Sequence, residues 1–358
     1  GLSAAFLGHF VEKYGPRAAG LLAAGFFGAG IIGSGLAVNL GSLPFLYVTY
    51  GVLGGIGLGV GYIAPVSTLV KWFPDRRGLA TGLAIMGFGF AAAIASPVME
   101  SLINSVGTAN TFFILGISYL VIMTLSSLYL EKPPVGWAPK GFNEKGQSGK
   151  SRIKEDLSQL TANEAVKTSR FYYLWIMLFI NVTCGIAILS AAKPLAEESI
   201  GLTTAEAAAL VGILGIFNGL GRIGWASISD FIGRPNTYTT FFVLQIVLFA
   251  VLPHTTEAFL FQVMLAVVYT CYGGGFAAIP AYIGDLFGTK QLGAIHGYIL
   301  TAWAAAGLAG PMFAAWMKDT TGSYATSLTF FSGMFVVALI KWLNKFTRKT
   351  LLLKWKSF

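Results

Sequence analysis

The sequence predicts an all-α membrane protein built as two parallel halves. Three observations carry that expectation. Of the 358 residues, 55% are hydrophobic and only 11% are charged, with a mean hydropathy of +0.70. A soluble globular chain does not carry so little charge on so much apolar sequence. Secondly, most apolar runs reach the roughly 20 residues that let a helix cross a hydrocarbon core of about 30 Å, while the alternation of membrane strands is absent. Thirdly, positions recur at a near-constant spacing: Glu12 with Asp230 and Gly15 with Gly233 at 218, Pro65 with Pro280 and Gly82 with Gly297 at 215, Pro97 with Pro311 at 214. Odd and even spans keep their orientation in both copies, so the repeats are parallel.

The elements follow in order. The opening Gly-Leu-Ser-Ala-Ala-Phe-Leu-Gly has no Met and reads as the tail of a helix already in progress. A short charged loop is expected over residues 8–17, then spans at about 18–38 and 43–70. A second charged loop, residues 71–78, precedes spans at about 79–104 and 109–130. Residues 131–170 are polar, with Pro133, Pro134 and eight Lys or Arg, and form a linker whose end, about 153–168, is expected as a surface helix. The second half places spans near 171–192, 205–229, 237–253, 258–283, 294–317 and 324–345. The expected units are therefore a first half (1–130), the linker (131–170), a second half (171–346) and a basic tail (347–358). About 55 residues separate 171 from the loop at 226, but only seven precede Gly8. About ten complete helices are present, and a first helix and most of a second are expected to be missing from a native chain of twelve.

Charge placement gives orientation. Of the 24 Lys and Arg, 21 fall on one side; Lys193 and Lys318 fall on the other, and Arg222 lies between. By the positive-inside rule the linker and the tail are cytoplasmic, in a multi-pass protein of the plasma (inner) membrane. The net charge of +9 is thereby explained by topology, and no nucleic-acid partner is expected. Cys184 and Cys271 sit inside apolar spans, with no disulfide or metal spacing. The 45 glycines suit helices that approach closely in lipid. No phosphate-binding Gly-x-x-x-x-Gly-Lys-Ser/Thr loop supports an ATP-driven pump, and no acid and base constellation supports an enzyme or a cofactor.

Arg222 is the candidate centre. It stands in an otherwise uncharged apolar run, where a charge costs about 2.5–3.5 kcal/mol on insertion scales. Eight residues before Asp230, at 1.5 Å each, it lies roughly 12 Å deep. Its planar fork matches a carboxylate. The other reading is a structural Arg, satisfied by helix carbonyls, by absent helices or by an acid. Asn218, four residues earlier, shares its helix face and orients it. Asn181 either contacts a hydroxyl or keto oxygen or bonds between helices. Tyr269 to Phe276, Tyr-Thr-Cys-Tyr-Gly-Gly-Gly-Phe, joins aromatics to a glycine stretch, with Tyr272 a candidate contact beside Tyr62 and Trp303. His254 and His296 read as surface or interfacial. Glu12, Arg17, Asp75, Arg76, Arg77, Asp230 and Arg234 are candidate gating charges, or else solvated loop charges.

The motif Gly8-x-x-x-Glu12-Lys13-x-Gly15-x-Arg17 and its weaker copy Ser229-Asp230-Phe231-Ile232-Gly233-Arg234 resemble the paired loops of the major facilitator superfamily, with Glu12 in place of the usual Asp. Residues 71–82, Lys-Trp-Phe-Pro-Asp-Arg-Arg-Gly-Leu-Ala-Thr-Gly, with Asp285-Leu286-Phe287-Gly288, are similar to the oxalate/formate antiporter family and its monocarboxylate-transporter relatives. The resemblance implies that Arg222 binds a substrate carboxylate and that Tyr62, Phe88, Tyr272 and Phe276 line an aromatic cavity. It also marks two departures. Oxalate-exchanging members carry a membrane-embedded Lys where this chain has Trp303, which argues for a substrate with a single carboxylate. Monocarboxylate transporters often carry an acid one turn before the Arg, and here Asn218 stands there.

The expected function is secondary active transport of small organic anions by alternating access. Monocarboxylates such as formate, lactate or pyruvate are the expected substrates, with antiport and proton symport both open. The expected partners are the anion, the bilayer and possible coupling protons, and the protein is expected as a monomer. Alternatives are a major facilitator transporter of a dicarboxylate, sugar or drug, or a non-transporting receptor on the same fold.

Overall fold

The computed structural model of the protein describes residues 1–134, 136–139 and 159–355, the side chains of Ala92 and of residues 341–355 excepted. Every regular element among them is helical. The first half comprises α1 (Leu2–Asn39), α2 (Leu43–Trp72), α3 (Arg77–Val106) and α4 (Thr108–Leu128). A single turn, α5 (Ala162–Ala165), precedes α6 (Ser169–Ile200), α7 (Thr204–Ile232), α8 (Arg234–Val251), α9 (Ala258–Phe287), α10 (Leu292–Thr321) and α11 (Ala325–Trp355). Among the described residues nine helices are long and apolar enough to cross a membrane, and α11 adds a shorter apolar stretch, Ala325–Ile340.

Two expectations change here. Residues 8–17 are not a loop: α1 runs helically through them and only Gly15, at φ 89° and ψ 169°, leaves helical geometry. The linker's surface helix shrinks to α5, capped by Thr161 and Glu164, and residues 153–158 lie outside the described residues. Gly15 explains the first difference. A positive φ followed by Pro16 turns the chain and restarts the helix within one residue, because Pro is preset for a first helical turn. Gly233 does the same at φ 87° before Arg234-Pro235. The repeat read at 218 residues is thus a repeated backbone device. Gly15→Ala would force a Cβ into that region and is expected to lower stability by about 1–3 kcal/mol. Thermal unfolding in detergent measures it, and an unchanged midpoint would refute the account.

Helix starts follow local sequence. Thr203 and Glu206 form a reciprocal capping box on α7, with Glu206 accepting from the Thr203 N–H at 2.9 Å. Glu257 caps α9 by accepting from the Phe259 and Leu260 N–H groups at 3.0 and 2.5 Å. Inside α2 a π-helical stretch, Tyr47–Gly54, lies against Gly30 of α1, where an added Cβ would meet the Thr49 carbonyl oxygen at 2.8 Å.

Two seams join the halves. At one, α3 crosses α7 so closely that a Cβ on Gly82 would meet the Arg222 carbonyl oxygen at 2.6 Å. At the other, α1 crosses α10, and a Cβ on Gly297 would collide with the Ala4 carbonyl oxygen. Gly82 and Gly297 are repeat mates, and so are Ala4 and Arg222, 218 residues apart. The scaffold is symmetric and the chemistry is not. One repeat offers a methyl where the other offers a guanidinium.

Candidate functional site

Arg222 is only 5% exposed. Its Nε donates to Asn218 Oδ1 at 3.2 Å, one helical turn back, while Nη1 has no hydrogen-bond partner. The guanidinium carbon lies 5.3 Å from the ring centre of Phe276 and 5.9 Å from that of Phe88, which brackets the cation between aromatic faces. A buried donor without a partner costs about 1–3 kcal/mol, more when charged. An anion seated here would remove that cost.

Tyr62 is the hub of the surrounding aromatics. Its ring centre lies 5.5 Å from Phe88, 5.7 Å from Phe276 and 6.3 Å from Trp303, and Phe276 and Trp303 are 5.7 Å apart. Tyr272 lies one helical turn before Phe276, and its ring packs against Gly185 of α6. These side chains come from α2, α3, α7, α9 and α10, so both halves contribute to one cluster. Asn181 is used differently. Fully buried, it donates from Nδ2 to the Tyr272 carbonyl at 3.3 Å and accepts at Oδ1 from Gln245 at 3.1 Å, tying α6 to α8 and α9.

The consecutive glycines Gly273–Gly275 of α9 make room for this arrangement. A Cβ on Gly273 would lie 2.5 Å from Asn218 Oδ1 and 3.1 Å from Arg222 Cγ; one on Gly275 would lie 2.5 Å from Asn181 Nδ2. Gly273→Ala is therefore expected to displace the Asn218–Arg222 pair and to raise the substrate concentration for half-maximal uptake about tenfold. Uptake kinetics at matched membrane expression test this, and parental kinetics would contradict it.

His296 corrects a sequence expectation. It is fully buried beside Tyr62 with ring centres 5.5 Å apart, and neither ring nitrogen has a hydrogen-bond partner. The first turns of α10 pack against α1 and α2, where a Cβ on Gly297 would meet the Ala4 carbonyl and the Ile63 side chain. His254 is exposed.

On the linker side the charges form two matching junctions. Asp230 at the end of α7 accepts at Oδ1 from the Gly78 N–H (2.9 Å) and at Oδ2 from the Leu79 N–H (3.0 Å), across the seam at the start of α3. Glu12 of α1 accepts at Oε1 from the Gly293 N–H (2.7 Å) at the start of α10, and at Oε2 from Lys71 (2.7 Å). Carboxylates at helix N-termini meet free N–H groups and the positive end of the dipole. Arg234 donates to Asp230 at 2.6 Å and to Asp285 at 2.9 Å, and Arg77 of the first half donates to Asp285 at 3.1 Å. The linker is attached on this same face. The Leu160 N–H donates to the Phe287 carbonyl at 2.9 Å, and Trp72 Nε1 donates to the Glu131 carbonyl at 2.8 Å.

The Major Facilitator Superfamily profile matches residues 1–311 and again 174–351. The chain belongs to the Major Facilitator Superfamily. It is 30% identical over 308 residues to the oxalate:formate antiporter of Oxalobacter formigenes, covering 85% of this chain and 69% of that protein. It is 28% identical over 318 residues to monocarboxylate transporter 12 of Xenopus laevis, covering 84% and 68%. A crystal structure of the human organic anion transporter MFSD10 superposes with a TM-score of 0.76 at 15% identity, covering 95% of this chain and 80% of that one. That likeness concerns the fold.

As a multi-pass transporter of this superfamily, the protein keeps its expected charges apart in a way the sequence did not foresee. Glu12, Arg77, Asp230 and Arg234 stand at the junctions between halves. Arg17 instead pairs with Glu131 at 2.5 Å at the exposed surface, and Arg76, 68% exposed in its side chain, lies 3.8 Å from the adjacent Asp75. These three, Arg17, Asp75 and Arg76, are not brought to the seam by any of those contacts. Lys71 and Asp285 take junction roles that sequence reasoning missed. Both lie in the motifs quoted above, residues 71–82 and Asp285-Leu286-Phe287-Gly288, but at the local repeat spacing of 215 the mate of Lys71 is Leu286, so the repeat does not pair them.

Proposed function

We propose that this protein is a secondary active transporter that moves small monocarboxylates, such as formate, lactate or pyruvate, by alternating access, with Arg222 as the anion anchor. The observation that carries the reading is the buried guanidinium with an unpartnered Nη1, bracketed by Phe88 and Phe276 where the two halves meet. Such a group in a membrane interior asks for an anionic partner. Trp303, packed against Phe276 and Tyr62, offers no second positive charge, which favours one carboxylate over two. The names of the relatives, an oxalate:formate antiporter and a monocarboxylate transporter, support small carboxylates as the class, with monocarboxylates named in both.

In this reading the linker side is cytoplasmic, and the junctions at Glu12 and Asp230 hold it closed while the site communicates with the outside. Asn218 orients Arg222, and Tyr62, Tyr272 and Trp303 complete the aromatic walls. Transport proceeds by exchange or by proton symport.

Uptake of labelled formate, lactate, pyruvate, oxalate and fucose into vesicles carrying the protein tests the proposal. Saturable uptake of at least one monocarboxylate in preference to oxalate and fucose is the expected result. Preference for oxalate or fucose, or no uptake of any carboxylate, would overturn it.

A further inference from the structure

Buried polar atoms in folded proteins almost always find partners. Around Arg222 three neighbours break that rule together: Arg222 Nη1, the Tyr62 hydroxyl, and both ring nitrogens of His296 lack any hydrogen bond. Their residues are 5%, 4% and 0% exposed. They form one connected cluster, since Tyr62 packs on the same two rings, Phe88 and Phe276, that the Arg222 guanidinium lies over, and its ring centre is 5.5 Å from that of His296. One orphan is a local cost. Three in one cluster, from three different helices, form a site whose polar complement is not among the described residues.

The groups differ in what they ask for. The guanidinium only donates and suits a carboxylate. A phenol hydroxyl both donates and accepts, and a neutral imidazole carries one N–H and one bare nitrogen. We infer that Tyr62 and His296 form a second polar pole of the site, which selects carboxylates bearing an oxo or hydroxyl group on the carbon next to the carboxylate. This rests on the reading of Arg222 as the carboxylate anchor. With the carboxylate on Arg222, the adjacent carbon falls among Phe88, Phe276 and Tyr62, and an oxygen there meets the Tyr62 hydroxyl. His296 stands behind Tyr62, one turn beyond Gly293, whose N–H is held by Glu12. A plain alkyl acid of equal size leaves both groups unpaired. Sites built to hydrogen-bond a substrate oxygen discriminate strongly against analogues that lack it.

The test compares uptake of pyruvate and lactate with that of propionate, which has the same carbon count and no second oxygen. The parent protein is expected to favour the oxygenated acids about tenfold or more. Tyr62→Phe, which removes one oxygen atom, and His296→Leu are each expected to shrink that ratio several-fold, and His296→Gln, which keeps a donor and an acceptor, to restore part of it. Should His296→Leu fail to reach the membrane, Tyr62→Phe and His296→Gln still decide the matter. Arg222→Lys separates the two claims, because it is expected to depress all three acids together with the ratio unchanged. A parent ratio near one, or a ratio that neither Tyr62→Phe nor either His296 variant moves, overturns the second pole while leaving the anchor intact. A parent that takes up none of the three acids overturns both.

Discussion

Uptake of the preferred monocarboxylate is expected to fall roughly 100-fold in Arg222→Lys, at unchanged membrane expression. Truncating one partner of a buried, hydrogen-bonded charge pair costs about 2–5 kcal/mol, and each 1.4 kcal/mol is tenfold. Lysine keeps the charge but loses the planar fork. It also loses the Nε–H that donates to Asn218 Oδ1 at 3.2 Å, so the head group is no longer held between Phe88 and Phe276. The loss should appear in the half-saturating concentration before it appears in maximal rate. A variant as active as the parent would return Arg222 to a structural role.

Asp230→Asn is expected to open the linker side by about 3 kcal/mol. The Asp230 side chain is 9% exposed, and its two oxygens serve three donors: Gly78 N–H, Leu79 N–H and Arg234. An amide offers one acceptor and turns its NH₂ toward the remaining donor. It also removes one of the two carboxylates on Arg234, leaving Asp285 alone, and breaking buried pairs of this kind costs about 3–5 kcal/mol. Hydrogen exchange reads the effect directly, because the carboxylate protects two named amides and the Asn side chain can accept from only one of them while the junction opens. Exchange at Gly78 and Leu79 should accelerate about 100-fold. Equal rates in variant and parent would show that this carboxylate does not hold the junction.

Much of this was legible in the sequence. Hydropathy gave the spans, because in lipid each helix must satisfy its own backbone and be apolar over its whole length. The repeat was legible through Gly15 and Gly233, whose positive φ values only glycine meets at low cost. Arg222 stood out because a charge in an apolar run is expensive wherever the run is placed. Asn218 followed from a spacing of four.

What the sequence could not display were relations across the seams. Asp285 closes the junction by meeting Arg77 from 208 residues away, a pairing that no local pattern displays. Arg17 and Arg76 look like their neighbours in sequence and yet stay at the surface. His296 was misjudged for the same reason. Its position early in a span suggested an interface, and the packing of α10 against α1 and α2 buried it completely. The sequence alone determined the elements, their repeat and the single deep charge, since each depends on properties carried within one segment. Only the tertiary structure decided which charges meet, which polar groups are left without partners and where Arg222 finds its aromatic walls, since burial and pairing arise when helices distant in the chain come into contact.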